Sequence, residues 1–151
     1  VEIVGDVTND GYMDLAVSAT NASKGYIVAG DESGDFLVDS ATIVINGTSS
    51  SALGTQIVYA GDLNGDQIDD LVLGDYISSQ VSIVYGPITG DISSMDLVSL
   101  VSRGNDQLGW SIASGVDITG DGVSDMLLGA RITSEGANKN GAVYFLEGVG
   151  L

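Results

Sequence analysis

The stretch GDLNGDQIDDLVLGD, residues 61–75, places five aspartates (Asp62, Asp66, Asp69, Asp70 and Asp75) within 14 positions and runs straight into Leu71-Val72-Leu73. Clustered like charges repel and cost stability unless something positive lies among them. The stretch is not alone. Residues 5–19 read GDVTNDGYMDLAVSA and residues 116–130 read VDITGDGVSDMLLGA, so the leading aspartates Asp6, Asp62 and Asp117 recur at spacings of 56 and 55.

Other anchors keep the same step. LGTQIVYAG from Leu53 matches LGWSIASG from Leu108, and each unit continues with a second apolar run: GYIVAG, VSIVYG and GAVYFLEG. Two units add a further run, DFLVDSATIVI and DLVSLV, and the first opens on VEIVG. These runs are short, rich in β-branched residues, alternate in places (Val81/Ile83/Tyr85) and are bounded by turn residues. No window carries a helical stripe free of glycine or aspartate. About four strands in a repeat of roughly 40–60 residues is the pattern of a propeller blade. A plain β-sandwich does not explain a repeat kept in register. The expected fold is therefore all-β: three four-stranded antiparallel propeller-type blades, the last lacking its outer strand, with about eleven strands in all. The expected boundaries are blade 1 over 1–51, blade 2 over 52–105 and blade 3 over 106–151, one segment without a linker.

Composition narrows the function. The chain has 151 residues, 44% hydrophobic, with 21 acidic and 4 basic side chains and a net charge of −17. Such a charge opposes nucleic acid, whose phosphates need Lys and Arg, and anionic membranes. Histidine and cysteine are both absent, which removes disulfides, the usual transition-metal ligands and the His-dependent nucleophile arrangements. No apolar run reaches the roughly 18 residues of a membrane helix.

Numbered from the first aspartate, positions 1, 3, 5 and 9 are Asp6, Thr8, Asp10 and Asp14; Asp62, Asn64, Asp66 and Asp70; and Asp117, Thr119, Asp121 and Asp125. All candidate donors are hard oxygens, which suit Ca²⁺ with its roughly 6–8 oxygen ligands. Positions 1, 3 and 5 can converge on one ion, and position 7 (Tyr12, Ile68, Val123) can add a backbone carbonyl. Gly11 and Gly122 at position 6 permit a left-handed turn. Gln67 stands there in the second loop and strains it by about 1 kcal/mol if its φ is positive. An EF-hand needs a bidentate Glu at position 12, where this chain has Val17, Leu73 and Leu128. Tandem GGxGxD units of a calcium roll are also absent.

These loops, with the preceding Leu-Gly of two units and the following YIVAG and VSIVYG, resemble the FG-GAP repeat, the calcium-binding blade of integrin α-type propellers. The resemblance covers nearly the whole chain in three successive units. It implies a loop between a blade's first two strands, with ligands at positions 1, 3, 5, 7 and 9, and so about three Ca²⁺ per chain, which would bring the formal charge from −17 to −11. The family's Phe-Gly appears as Leu53-Gly54 and Leu108-Gly109, and its Gly-Ala-Pro as Gly74-Asp75-Tyr76 and Gly129-Ala130-Arg131.

Remaining features are read plainly. Asn21 and Asn46 open glycosylation sequons expected to be chance occurrences at turns or strand ends. Trp110 is expected in or near the core, and Arg131 in a surface ion pair. Aspartate pairs could serve a glycosidase, but the loops claim the carboxylates, and no enzyme activity is expected. The expected function is a non-enzymatic, extracellular or cell-surface, calcium-stabilised propeller segment acting in adhesion or self-assembly. Its alternative is a calcium-dependent module for a glycan or protein ligand. Three blades do not close a propeller, which takes about 4–8, and open ends invite pairing. The expected partners are other copies, as a homo-oligomer or filament, or the rest of a longer propeller.

Overall fold

The computed structural model describes residues 1–30, 34, 43–47, 53–93, 97–102, 104–132 and 140–149. Among the described residues the regular structure is β throughout, apart from a single 3₁₀ turn at Thr20–Ala22. The first sheet holds β1 (Glu2–Ile3), β2 (Leu15–Ala19), β3 (Lys24–Val28) and β4 (Ile43–Asn46), each antiparallel to its neighbour. Residues of the second unit form β5 (Gln56–Gly61), β6 (Asp70–Asp75), β7 (Gln80–Val84), β8 (Ile92–Ser93) and β9 (Val98–Val101). Of these, β5-β6-β7-β9 make the second sheet, also antiparallel. The third sheet is β10 (Leu108–Val116), β11 (Asp125–Ala130) and β12 (Ala142–Leu146). Of the DFLVDSATIVI run, residues 35–42 lie outside the described residues.

The three antiparallel sheets are the expected ones, and the structure adds a twelfth strand. β8 leaves the second unit and pairs in parallel with β4, matching Ile45 with Ile92 and Asn46 with Ser93. Asp91 fixes this contact by accepting a hydrogen bond from the Val44 N–H at 2.8 Å. The outer edge of the first sheet is thereby covered by its neighbour, one way to protect a row of unpaired backbone groups.

Face-to-face packing explains the sequence pattern. Leu71, Leu73 and Val84 of the second sheet join Ala16, Ile27 and Ile45 of the first in one core. From the opposite face of the same sheet, Val72, Val81 and Ile83 join Leu108, Met126 and Leu128 of the third in another. A strand covered on both sides favours an unbroken apolar run, here Leu71-Val72-Leu73 of β6, a strand buried along its whole length. Fully burying such a side chain contributes about 1.5–3 kcal/mol.

Candidate metal centres

Each aspartate loop joins the first two strands of its sheet, at the same end of all three. Just before it, β5 and β10 each carry a register shift, between Tyr59 and Gly61 and between Ser114 and Val116. Such a bulge turns the strand into its hairpin.

Within the loops the aspartates have distinct tasks. At position 1 the carboxylate gathers backbone N–H groups. Asp6 accepts from Asp10 and Gly11, both at 2.9 Å. Asp62 accepts from Gly65, Asp66 and Gln67 at 2.6, 3.1 and 2.7 Å, and Asp117 from Gly120, Asp121 and Gly122 at 2.5, 3.2 and 2.8 Å. At position 5, Asp10, Asp66 and Asp121 close a small turn by accepting the N–H two residues on, from Tyr12, Ile68 and Val123 at 2.8, 2.9 and 3.0 Å.

Position 9 is different. Asp14 immediately precedes β2, Asp70 and Asp125 open β6 and β11, and all three are almost completely buried. Each fastens the loop to the third strand. Asp14 accepts from Thr8 N–H (2.9 Å) and Gly30 N–H (3.0 Å). Asp70 accepts from Leu63 N–H and Gly86 N–H, both at 2.8 Å. Asp125 accepts from Ile118, Thr119 and Gly148 N–H at 2.7, 2.9 and 2.9 Å. The three glycines are required by close approach. A Cβ at Gly30, Gly86 or Gly148 would stand 2.1, 2.6 or 2.1 Å from the carbonyl oxygen of Met13, Asp69 or Ser124, which is position 8 of the loop in each case.

Position 6 takes the left-handed conformation in all three loops: φ is 93° at Gly11, 69° at Gln67 and 92° at Gly122. The strain expected of Gln67 is therefore present. Relief of about 1–3 kcal/mol of backbone strain exceeds the roughly 0.5–1 kcal/mol entropic cost of glycine. Gln67→Gly is expected to stabilise the protein by about 1 kcal/mol, read as a higher urea midpoint at unchanged slope.

Burial and like charge act on the position-9 carboxyls. Desolvation pushes Asp70 up to about 6 against the pull of the Gly86 and Leu63 N–H groups, and the charges of Asp66 and Asp62 push the same way. Asp14 is also raised, first by burial, with Asp10 adding to it. In the third loop the balance reverses. The Gly122 N–H, ahead of the other influences, holds Asp117 below its ordinary value. For Asp125, desolvation is the largest influence and raises it, but the N–H groups of Gly148, Thr119 and Ile118 together outweigh it.

A pH dependence follows for metal-free protein. Folded Asp70 keeps its proton up to about pH 6, whereas unfolded it releases it near 3.8. The folded state thus binds more protons in this window, and stability falls as pH rises through it. The loss is on the order of 3 kcal/mol. Asp117 and Asp125 act oppositely: their contribution is present above the ordinary aspartate pKa and is lost as pH falls below it. Urea unfolding in chelator between pH 4 and 7 should show the decline, and Asp70→Asn should flatten it.

The loops are also tied to each other. Asp69, at position 8, reaches the preceding loop: its Oδ2 accepts from Asp6 N–H at 2.9 Å and its Oδ1 from the Tyr59 hydroxyl at 3.1 Å. Ser124, also at position 8, donates its backbone N–H to the Asp62 carbonyl at 2.8 Å. Ile88 and Val149 N–H groups reach the position-2 carbonyls of the preceding loops, Val7 and Leu63, at 2.8 and 2.9 Å. Sequence reasoning missed Asp69 as a cross-link because the other units carry Met13 and Ser124 at that position. It also missed the three glycines' role, although their recurrence was a usable signal.

The candidate ligands are brought to their loops, but among the described residues no group of three or more acidic side chains stands gathered as a metal cage. Their carboxylates are turned toward backbone N–H groups. In the second loop Asn64 also donates its amide to Asp66 at 3.0 Å. The donor set nevertheless fits a hard cation. Each carboxylate offers about four lone-pair sites, so N–H contacts leave acceptor capacity, and the charges acting on Asp14 and Asp70 are those of other aspartates.

Two expectations are corrected at the other end of the sheets. Trp110 is 41% exposed rather than in the core. Arg131 makes no ion pair among the described residues; its guanidinium lies 4.4 Å from the Trp110 ring centre, and Tyr76 meets the same ring edge-on at 4.9 Å. An arginine stacked on an indole gains a cation–π attraction that holds both at the surface. Asn21 lies in the 3₁₀ turn and Asn46 at the end of β4, the turn and strand-end positions expected.

Successive antiparallel sheets stacked face to face, each with an aspartate loop between its first two strands, define a β-propeller-type repeat. The family follows from comparison. A model described as an FG-GAP-like repeat matches residues 6–73, and one described as an FG-GAP repeat matches residues 108–146. This chain is an FG-GAP repeat protein. It is 26% identical over 136 residues to mouse (Mus musculus) integrin alpha-7, and 25% identical over 147 residues to integrin alpha-3 of Cricetulus griseus. Each match covers 84% of this chain but only 12% and 13% of those relatives. No helix among the described residues is long and apolar enough to cross a membrane.

Proposed function

We propose that this is a non-enzymatic, calcium-stabilised propeller module that acts in adhesion or self-assembly at the cell surface or outside the cell. Each loop takes one Ca²⁺, about three per chain. The ligands are Asp6, Thr8, Asp10, Asp14 and the Tyr12 carbonyl; Asp62, Asn64, Asp66, Asp70 and the Ile68 carbonyl; and Asp117, Thr119, Asp121, Asp125 and the Val123 carbonyl. The ion supplies positive charge among carboxylates. The chain's own groups do the rest: position 1 shapes the loop, position 9 anchors it to the third strand, and the glycine there admits the loop backbone. The units are blades over 1–51, 52–105 and 106–151, with β8 crossing between the first two.

The observation that carries this reading is the recurrence of one carboxylate arrangement in three loops at one end of the stack, under like-charge repulsion in the first two. Extracellular calcium modules work at about 10⁻⁴–10⁻³ M, which motivates the proposed location. Calcium titration of chelator-treated protein, followed by thermal unfolding, tests it. The melting temperature should rise with calcium and less with magnesium, and an unchanged one would refute it.

A second reading is a protein- or glycan-binding module of a larger surface protein. It is favoured by the exposed Trp110–Arg131 stack, which borders an open cleft of about 480 Å³ at the sheet end away from the loops.

A further inference from the structure

Position 8 contributes no candidate ligand, and the three loops fill it differently, with Met13, Asp69 and Ser124. Met13 is exposed. Ser124 stands over the glycine that precedes the second loop: a Cβ on Gly61 would lie 2.3 Å from its hydroxyl oxygen. Yet it joins that loop through its backbone, by the N–H donated to the Asp62 carbonyl. Asp69 takes the same place over Gly5, where a Cβ would lie 2.2 Å from Oδ2. Here the side chain itself makes the bond, to Asp6 N–H.

Asp69 is held from both directions. In sequence it lies between Ile68 and Asp70, the position-7 and position-9 ligands of the second loop. In space its Oδ2 holds the backbone of Asp6, the position-1 ligand of the first loop, while its Oδ1 is fixed by the Tyr59 hydroxyl of β5. Asp6 in turn presents the carboxylate that gathers the Asp10 and Gly11 N–H groups. Asp69 can therefore hold the first loop in shape only when the second has its own shape. The Ile88 N–H that reaches Val7 comes from the segment after β7, not from the second loop. Ordering a loop and its side chains costs conformational entropy. An ion that has already ordered one loop leaves less of that cost for the next to meet.

We infer that the Asp69 carboxylate couples the first two metal loops, so that an ion held in either raises the affinity of the other. Asp69 is a positioning residue: it binds no ion itself and acts through Asp6. The inference rests on the calcium reading. Such coupling is reciprocal, and its expected size is at least about fivefold in affinity. The second and third loops meet through the backbone of Ser124, so their contact does not depend on a side chain at this position.

Calcium titration of chelator-stripped protein, followed by NMR of the backbone amides, tests it. Gly11, Gly65 and Gly122 each donate an N–H to the position-1 carboxylate of their own loop, so their signals report the three sites separately. The titrations are run at a temperature where far-UV circular dichroism shows the metal-free protein folded. Asp66→Ala disables the second site and should raise the calcium midpoint of the first at least about fivefold. Asp10→Ala should raise the midpoint of the second by the same factor. Introduced into both backgrounds, Asp69→Ala should abolish these shifts, whereas Asp69→Asn keeps an oxygen to accept from Asp6 N–H and should preserve them. Should Asp69→Ala not fold, Tyr59→Phe, which removes only the Oδ1 bond, takes its place and should lessen the shifts. Midpoints of the first two loops that ignore each other, with calcium still bound, overturn the inference and leave the calcium reading standing. If no loop responds to calcium, both fall. Shifts that persist unchanged in Asp69→Ala or its substitute, as folding of the whole chain would give, overturn the role of Asp69. Shifts lost in Asp69→Asn as well trace the coupling to charge rather than to the held Asp6 N–H, and also overturn it.

Discussion

Asp70→Ala is expected to destabilise the metal-free protein by about 2–4 kcal/mol. The carboxylate is completely buried and accepts hydrogen bonds from Leu63 and Gly86 N–H groups. Removing it strands two backbone donors, each costing about 1–3 kcal/mol when left unsatisfied. Part of that loss is offset, because a desolvated carboxyl pushed up to about 6 is itself unfavourably placed. For a chain of this size, the change should lower the melting temperature by roughly 5–15 °C. Asp66→Ala is the informative companion. Its carboxylate accepts one backbone N–H, that of Ile68, and the Asn64 amide among the described residues, so in chelator its loss should cost about 1 kcal/mol or less. In calcium both variants should lose a ligand and the stabilisation that goes with it. Thermal unfolding of the two in each condition separates the hydrogen-bonding task of position 9 from the metal-binding task of the loop.

Chelation of wild type should have the largest effect. A ligand that binds only the folded state, at a hundredfold excess over its dissociation constant, contributes about 2.7 kcal/mol. Three such sites approach about 8 kcal/mol, comparable to the roughly 5–15 kcal/mol stability of a whole domain. Metal-free protein should therefore lie close to unfolding at moderate temperature, with Asp6, Asp62 and Asp117 still held by backbone N–H groups. Magnesium should restore less, since it demands near-octahedral coordination at about 2.0–2.1 Å and dehydrates reluctantly. Differential scanning calorimetry in calcium, magnesium and chelator measures all three states.

Much of this was legible because the chain repeats. Asp6, Asp62 and Asp117 locate three hairpins, and the apolar run after each position-9 aspartate locates the second strand; one loop would have read as an ordinary turn. The strain at Gln67 was also legible, since glycine at the same position of both sister loops names the backbone conformation. Other features are not encoded locally. β8 is two residues long, too short for any periodicity, and pairs with a strand of the preceding unit. Asp69 looks like surplus charge until the first loop lies beside it. Trp110 belongs by type in a core, but Arg131, 21 residues on, supplies a surface partner that sequence distance hides. The buried and loop-facing tasks of aspartates 9 and 1 differ only through their hydrogen bonds, which identical letters cannot reveal.

The most direct test is the number of calcium ions bound per chain, by calorimetric titration of chelator-stripped protein. The account predicts three, falling to two with Asp121→Ala. No binding at millimolar calcium, with unfolding identical in calcium and chelator, would contradict it and leave the aspartates as hydrogen-bonding elements of three turns.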